Sequence, residues 1–389
     1  MAHEVLERIR ELEPYLREQA DNAEALRRLP DDTAKQLKAS GVVRLLQPTR
    51  HGGYEEDPRL FFEAVMRIAA CCGSSGWVSG IIGVHPWELA FFDDRAQEEV
   101  WGDDPDTWMS SQYLPGGVAR PVEGGWMLSG RWSFSSGADH SDWALLGASV
   151  GNPDGTPVDP PAGLHVLVPR TDYAIEDTWY VVGLCGTGSN DVVLDDVFIP
   201  RYRAHTGEAM RQYEGPGLAV NTGPLYRMPW GAIFPNAITA PIIGMADGAL
   251  AAHLDHQRNR VSIVTGPVVS APIAMTAAGM AASEIDSCRV QLLHNVGEMY
   301  DTVVRGEVIP MLVRARGRRD QVQGSWRAAR AVEDLFTRSG GAALRRGNPV
   351  QRFWRDCHAG LNHAINVPDV SFHSWASVAL GFDPLEMLL

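Results

Sequence analysis

The chain has 389 residues, of which 45% are hydrophobic, so it can build a large core and is not a disordered polymer. With 34 Lys plus Arg against 48 Asp plus Glu, its net charge is −14, which disfavours nucleic acid and anionic membrane surfaces as partners. The five cysteines include no CxxC pair, so neither a zinc centre nor a disulfide framework is expected; the composition suits a reducing cytoplasm.

The first hundred residues read as helical. Val5, Ile9, Leu12 and Leu16 recur on one helical face, and Pro30-Asp-Asp32 opens a short helix that Gly41 stops. His51-Gly-Gly-Tyr54 is a turn. Leu60 to Cys72 predicts a buried helix, which Cys72-Gly-Ser-Ser-Gly76 breaks or bends. Trp77 to Phe92 is apolar nearly all round and carries the imidazole of His85; Arg95 to Trp101 is a short amphipathic helix. No signal-peptide core or membrane-spanning run is read anywhere.

The character changes near Pro105. Short β-rich runs follow at 125–129, 143–150, 163–169 and 191–200, and Asn152-Pro-Asp-Gly155 is a turn between two of them. From Pro229 the pattern is helical again, over Ala237 to Arg258, Ala271 to Val304, Met311 to Ser339 and Pro349 to Asn366. The expectation is an α+β chain in three parts: a helical domain over 1–107, an antiparallel, β-barrel-like domain over 108–225, and a four-helix bundle over 226–389.

Within the β region, Trp132-Ser-Phe-Ser-Ser136 alternates rings and hydroxyls. That pattern predicts a strand offering rings on one face and short polar groups on the other, a surface suited to a planar heteroaromatic cofactor. An ordinary amphipathic hairpin strand gives the same alternation. No GxGxxG opens a helix after a strand, and there is no GxxxxGK[ST], HExxH or GxSxG, which argues against Rossmann, kinase, metalloprotease and α/β-hydrolase chemistry.

The helical–β–helical order resembles the acyl-CoA dehydrogenase fold over essentially the whole chain. Gly130-Arg-Trp-Ser-Phe-Ser-Ser136 is similar to that family's flavin-binding strand, Gly186-Thr-Gly-Ser-Asn190 to its second β signature, and Asn348-Pro-Val-Gln-Arg-Phe-Trp-Arg-Asp356 to its late helix start. The family's glutamate base has no counterpart in Gly360-Leu-Asn-His-Ala-Ile-Asn366, which disfavours α-proton abstraction from a thioester. A histidine there resembles the oxygenase components of two-component flavin monooxygenases, such as p-hydroxyphenylacetate hydroxylase. Leu45-Leu-Gln-Pro48, Cys72-Gly-Ser-Ser-Gly-Trp-Val-Ser79 and Trp179-Tyr-Val-Val-Gly-Leu184 resemble the subgroup that hydroxylates the secosteroid phenol in bacterial steroid degradation. Val367 to Leu389 departs from it.

The resemblance implies a phenol ortho-hydroxylase that uses O₂ and reduced flavin (FADH₂ or FMNH₂) through a C4a-hydroperoxide, with an FAD-dependent acyl-CoA-type dehydrogenase as the alternative. A separate NAD(P)H:flavin reductase would supply the electrons, and the subunits would form a homotetramer. By the same resemblance Ser136 is the hydroxyl at flavin N5, and His363 the base or phenolate stabiliser, with His358 competing one turn earlier. Phe134, Ser135, Thr187, Ser189 and Ser110 join Ser136 around the flavin, and Ser111 and His85 join the catalytic set. Trp77, His85 and His363 meet the substrate. Arg227 approaches the flavin's electron-rich edge, and Arg258 and Arg260 approach its phosphates across a subunit interface. No metal is expected.

Overall fold

The computed structural model describes residues 3–258, 260–262, 266–268, 272–386 and 389. Five helices come first: α1 (Glu4–Leu26), α2 (Asp31–Ser40), α3 (Pro58–Ala69), α4 (Gly73–Leu89) and α5 (Asp94–Trp101). Gly41 stops α2 in the left-handed conformation, as its position predicts. Asp57 caps α3 by accepting the Arg59 N–H, with Pro58 in the first turn. The break between α3 and α4 lies at residues 70–72, not within Gly73 to Gly76, and those glycines form the first turn of α4. Gly76 permits this tight joint: a Cβ there would lie 2.2 Å from that of Ala69. Every residue of α4 is buried.

The sheet has eight strands: β1 (Met109–Gln112), β2 (Gly117–Val122), β3 (Gly125–Ser135), β4 (Trp143–Val150), β5 (Gly163–Pro169), β6 (Ala174–Glu176), β7 (Asn190–Pro200) and β8 (Ala204–Thr206). Their order is β6-β7-β3-β2-β4-β5-β8, with β1 beside β4. Most strand pairs are antiparallel, as expected, with two departures from an antiparallel barrel. Both β1 and β2 pair parallel with β4, and among the described residues the sheet keeps two ends, β6 and β8. The reason is the connection: β3 reaches β4 through a 3₁₀ turn at Ala138–His140, not a tight hairpin, so β4 is free to lie along β2.

After the short α6 (Gly207–Arg211) come α7 (Trp230–Arg258), α8 (Pro272–Val304), α9 (Met311–Ser339), α10 (Pro349–Leu361) and α11 (Pro368–Ala379). Helices α7 to α10 form the expected bundle, and α11, absent from the sequence reading, packs on α9. The predicted last helix stops at Leu361, and Pro368 starts a new one. Helix α7 begins at Trp230, before the predicted Ala237, and carries Pro235 and Pro241 within it. By length and composition it is apolar enough to cross a membrane, contrary to the sequence reading, but 72% of its apolar window is buried inside the protein. It is the bundle's central helix, touching α3, α4, α8, α9 and α10. One core joins both helical regions, running from Phe61 and Trp87 to Ile242 and Val332, while Trp132, Leu146 and Val166 belong to the sheet's own core.

Candidate active site

The end of β3 departs from simple alternation. Phe134 has φ +69°, and the register with β7 shifts between Trp132 and Ser135. This bulge separates two rings that strict alternation would place on one face. Trp132 is buried in the sheet core and bonds the Gly147 carbonyl, whereas Phe134 is 65% exposed, edge-on to Trp179 at 6.0 Å. The bulge also carries Ser136 over to α4 and to the segment before β7.

Ser136 heads a row of hydroxyls. Its Oγ accepts the Trp77 indole N–H at 3.2 Å and lies 2.8 Å from Ser189 Oγ, which lies 2.7 Å from Thr187 Oγ1. Thr187 donates to the Leu184 carbonyl at 2.8 Å, so its own proton is committed. Ser189 must therefore donate to Thr187, and Ser136 to Ser189. The row has one direction, and it leaves Ser136 Oγ able to accept a further hydrogen bond. Its far end is anchored by backbone: Leu184 has φ +54°, and its N–H donates to Asp356 Oδ1 of α10 at 2.6 Å. Burial pushes the Asp356 carboxyl up to about 6, against the pull of the Leu184 N–H and of Arg355.

These groups open on a cavity of about 780 Å³ between α4, the sheet, α7 and the chain after α10. Trp77, Ser111, Ser136, Thr187, Ser189, Phe134 and His363 line it, so these expected residues are brought together. The His363 ring lies 6.0 Å from Trp77 and 6.3 Å from Phe234, which stacks on Trp230 at 4.6 Å. Desolvation, reinforced by the nearby Arg318 guanidinium, holds His363 down to about 4, so it is neutral near pH 7. Its Nδ1 accepts the Ile365 N–H at 3.2 Å, which places the ring proton on Nε2. Of the two roles expected for His363, this geometry favours hydrogen-bond donor over base. Arg318, buried and paired with Glu386 at 2.7 Å, also lines the cavity, as do Leu385 and Glu386 of the chain's last stretch.

Other expected residues lie elsewhere. Ser135 donates to Ser110 at 3.2 Å, and both are fully buried off the cavity wall, where they tie β3 to β1. His85 sits behind the wall: its Nδ1 is 3.0 Å from the Tyr113 hydroxyl, and it does not line the cavity. Arg227 is exposed outside the cavity. Arg258 pairs with Asp255, and Arg260 donates to the Arg338 carbonyl. Arg258 ends α7 and Arg260 follows it, at the opposite end from Trp230 of a helix of 29 residues, about 40 Å long. His358 bonds the Trp354 carbonyl at 2.7 Å and is not among the residues lining the cavity.

The sequence reading missed Tyr113 and His165, which line the wall in front of His85 with rings stacked at 4.7 Å. Behind them Glu88, 1% exposed, accepts from the Tyr113 hydroxyl and lies 2.5 Å from His165 Nδ1 and 3.6 Å from His205 Nε2. Burial alone would raise the Glu88 carboxyl, but the electrostatic pull and hydrogen bonds of His165, then His205, outweigh it and hold it below the ordinary range. Burial, then Glu88, raises Tyr113. The ligand-type atoms of Glu88, His165 and His205 lie within 4.8 Å of one another. The available signal was Glu88 itself, a lone carboxylate in an otherwise apolar helix.

Known proteins share the fold and much of the sequence. Residues 236–368 match the family model described as acyl-CoA dehydrogenase, C-terminal domain. The flavin-dependent monooxygenase oxygenase subunit HsaA of Rhodococcus jostii is 48% identical over 97% of this chain and 98% of its own. The crystal structure of 3-HSA hydroxylase from Rhodococcus sp. RHA1 superposes with a TM-score of 0.95 at 47% identity, covering all of both chains. XiaF from Streptomyces, solved in complex with FADH₂ and glycerol, gives 0.93 at 28% identity over 99% of this chain and 97% of its own. The chain belongs to the flavin-dependent monooxygenases, as an oxygenase component built on the acyl-CoA dehydrogenase fold.

Proposed function

We propose that this protein hydroxylates a phenol at the ortho carbon, using O₂ and reduced flavin delivered by a separate reductase. The observation that carries this reading is the directional row Ser136–Ser189–Thr187, which ends in an open acceptor at the wall of a ring-lined cavity. The fit to a reduced flavin is chemical: its N5–H is a donor, and Ser136 Oγ has a free lone pair. Phe134 and Trp179 offer rings at the cavity edge for a flat ring system. When bound, the reduced flavin reacts with O₂ and supplies an electrophilic oxygen atom.

The chain's own residues do the rest. Trp77, Ile81, Leu184, Trp230 and Phe234 keep water from the reacting centre. His363 offers its Nε2–H to the phenol oxygen and so favours the ionised form, whose ortho carbon is the better nucleophile. A cavity of about 780 Å³ suits a multi-ring phenol beside the flavin, in keeping with the secosteroid-like substrate class implied by the sequence. Arg258 and Arg260, remote from the cavity of their own subunit, would reach flavin phosphates of a neighbouring subunit in a homotetramer, and Arg227 remains a candidate for the flavin edge.

The test is single turnover with reduced flavin, a multi-ring phenol and ¹⁸O₂. One labelled oxygen in a catechol product is the expected result. Oxidation of a thioester without oxygen incorporation, by a protein that purifies yellow with bound FAD, would replace this reading with the dehydrogenase.

A further inference from the structure

The phenol's proton needs a destination, and His363 does not provide one: with Nδ1 occupied by the Ile365 N–H, its other nitrogen already carries the proton. We propose that His165, oriented by Glu88, is the base that takes the proton from the substrate phenol. This rests on the phenol-hydroxylation reading above and adds a catalytic residue to it.

His165 is bonded in the opposite sense to His363. Its Nδ1 lies 2.5 Å from Glu88 Oε1. A carboxylate can only accept, so Nδ1 carries the proton and Nε2 is the open position of the neutral ring. The ring lines the cavity and is held flat against Tyr113, at 4.7 Å and 24°. Glu88 is itself fixed, because its second oxygen accepts from the Tyr113 hydroxyl. Since that hydroxyl proton is committed to Glu88, the 3.0 Å contact between Tyr113 and His85 Nδ1 has His85 as donor. His205 Nε2, from β8, closes the cluster 3.6 Å from Glu88. The titratable groups facing His165 are therefore Glu88 and His85 of α4, Tyr113 after β1, and His205. A carboxylate 1% exposed in a helix of otherwise uncharged residues is costly to bury without a positive partner. It obtains one when His165 becomes protonated.

In the step, the phenol O–H bond breaks and a bond from hydrogen to His165 Nε2 forms, directly or through one water. The electron pair stays on oxygen. The phenolate then faces an imidazolium whose charge Glu88 balances, and after oxygen transfer the imidazolium returns its proton to the product oxygen. No electrons move in either transfer.

The experiment uses the full chain without flavin and 4-nitrophenol as the probe, at a pH where the free probe is mostly un-ionised. Wild type should raise the phenolate absorbance band on binding. His165→Asn and Glu88→Gln should bind the probe without the band and lower single-turnover hydroxylation roughly a hundredfold. If His165→Asn does not fold, Glu88→Gln decides alone. A band that persists in His165→Asn or Glu88→Gln with the probe bound overturns the proposal. So does a stoichiometric divalent metal that is lost in Glu88→Gln, because a metal-bound imidazole cannot take the proton. Wild type that incorporates ¹⁸O while the band ignores His165 refutes this step alone; absence of ¹⁸O incorporation refutes the hydroxylase reading as well.

Discussion

Replacing Ser136 by alanine removes the acceptor of the Trp77 indole N–H and the donor to Ser189 at once. Trp77 and Ser136 are each 6% exposed, so the stranded N–H is poorly solvated. A buried donor left unsatisfied costs about 1–3 kcal/mol, and Ser189 keeps its bond to Thr187. Ser136→Ala should therefore lose roughly that much stability by denaturant unfolding of the flavin-free protein. Trp77→Phe removes the donor as well, so the double variant should be more stable than the sum of the single losses predicts, by about 1 kcal/mol. The functional effect is separate. Loss of the bond to flavin N5–H should leave reduced-flavin binding largely intact and raise hydrogen peroxide released per flavin oxidised. A hydrogen bond of about 1.5–3 kcal/mol corresponds to roughly a ten- to hundredfold faster unproductive oxidation. Additive single losses would refute the Trp77–Ser136 coupling, and a peroxide yield equal to wild type would refute the N5 role.

His363→Ala should slow oxygen transfer roughly ten- to hundredfold in single turnover while flavin oxidation continues, the deficit should shrink toward the phenol's own pKa, and His358→Ala should hydroxylate normally. Asp356 tests the anchor of the hydroxyl row. Its folded pKa, about 6, lies above the unfolded value of 3.8, so its contribution to stability is fully present below 3.8 and is lost as pH rises through about 6. The melting temperature of wild type relative to Asp356→Asn should fall across that interval, and a constant difference would contradict the burial argument. Glu386→Gln weakens the buried pair with Arg318 and should raise KM for a multi-ring phenol more than it lowers kcat; a change confined to kcat would place Glu386 outside substrate binding. Sedimentation should show a tetramer at micromolar concentration, and a stable monomer would remove the basis for Arg258 and Arg260 acting on a neighbouring flavin.

Local chemistry was legible residue by residue. The runs at 143–150 and 163–169 coincide with β4 and β5, Gly41 ends α2, and Asn348 caps α10, because alternation, left-handed glycine and capping side chains act within a few residues of themselves. Resemblance carried further, to Ser136, Ser189, Thr187, Trp77 and His363 around one cavity. The tertiary structure decided what depends on distant partners. Ser135 follows the same ring-and-hydroxyl pattern as Ser136, yet the bulge at Phe134 sends one to Ser110 and the other to Trp77. His85 marks the right helix, but Tyr113 stands between it and the cavity. Glu88 and His165, 77 residues apart, become a pair only because the fold brings one side chain of β5 to one of α4. A carboxylate in an apolar helix announces a buried partner; which imidazole answers it is set by packing between elements, since a side chain's charge is read at a few ångströms and its sequence neighbours do not reach that far.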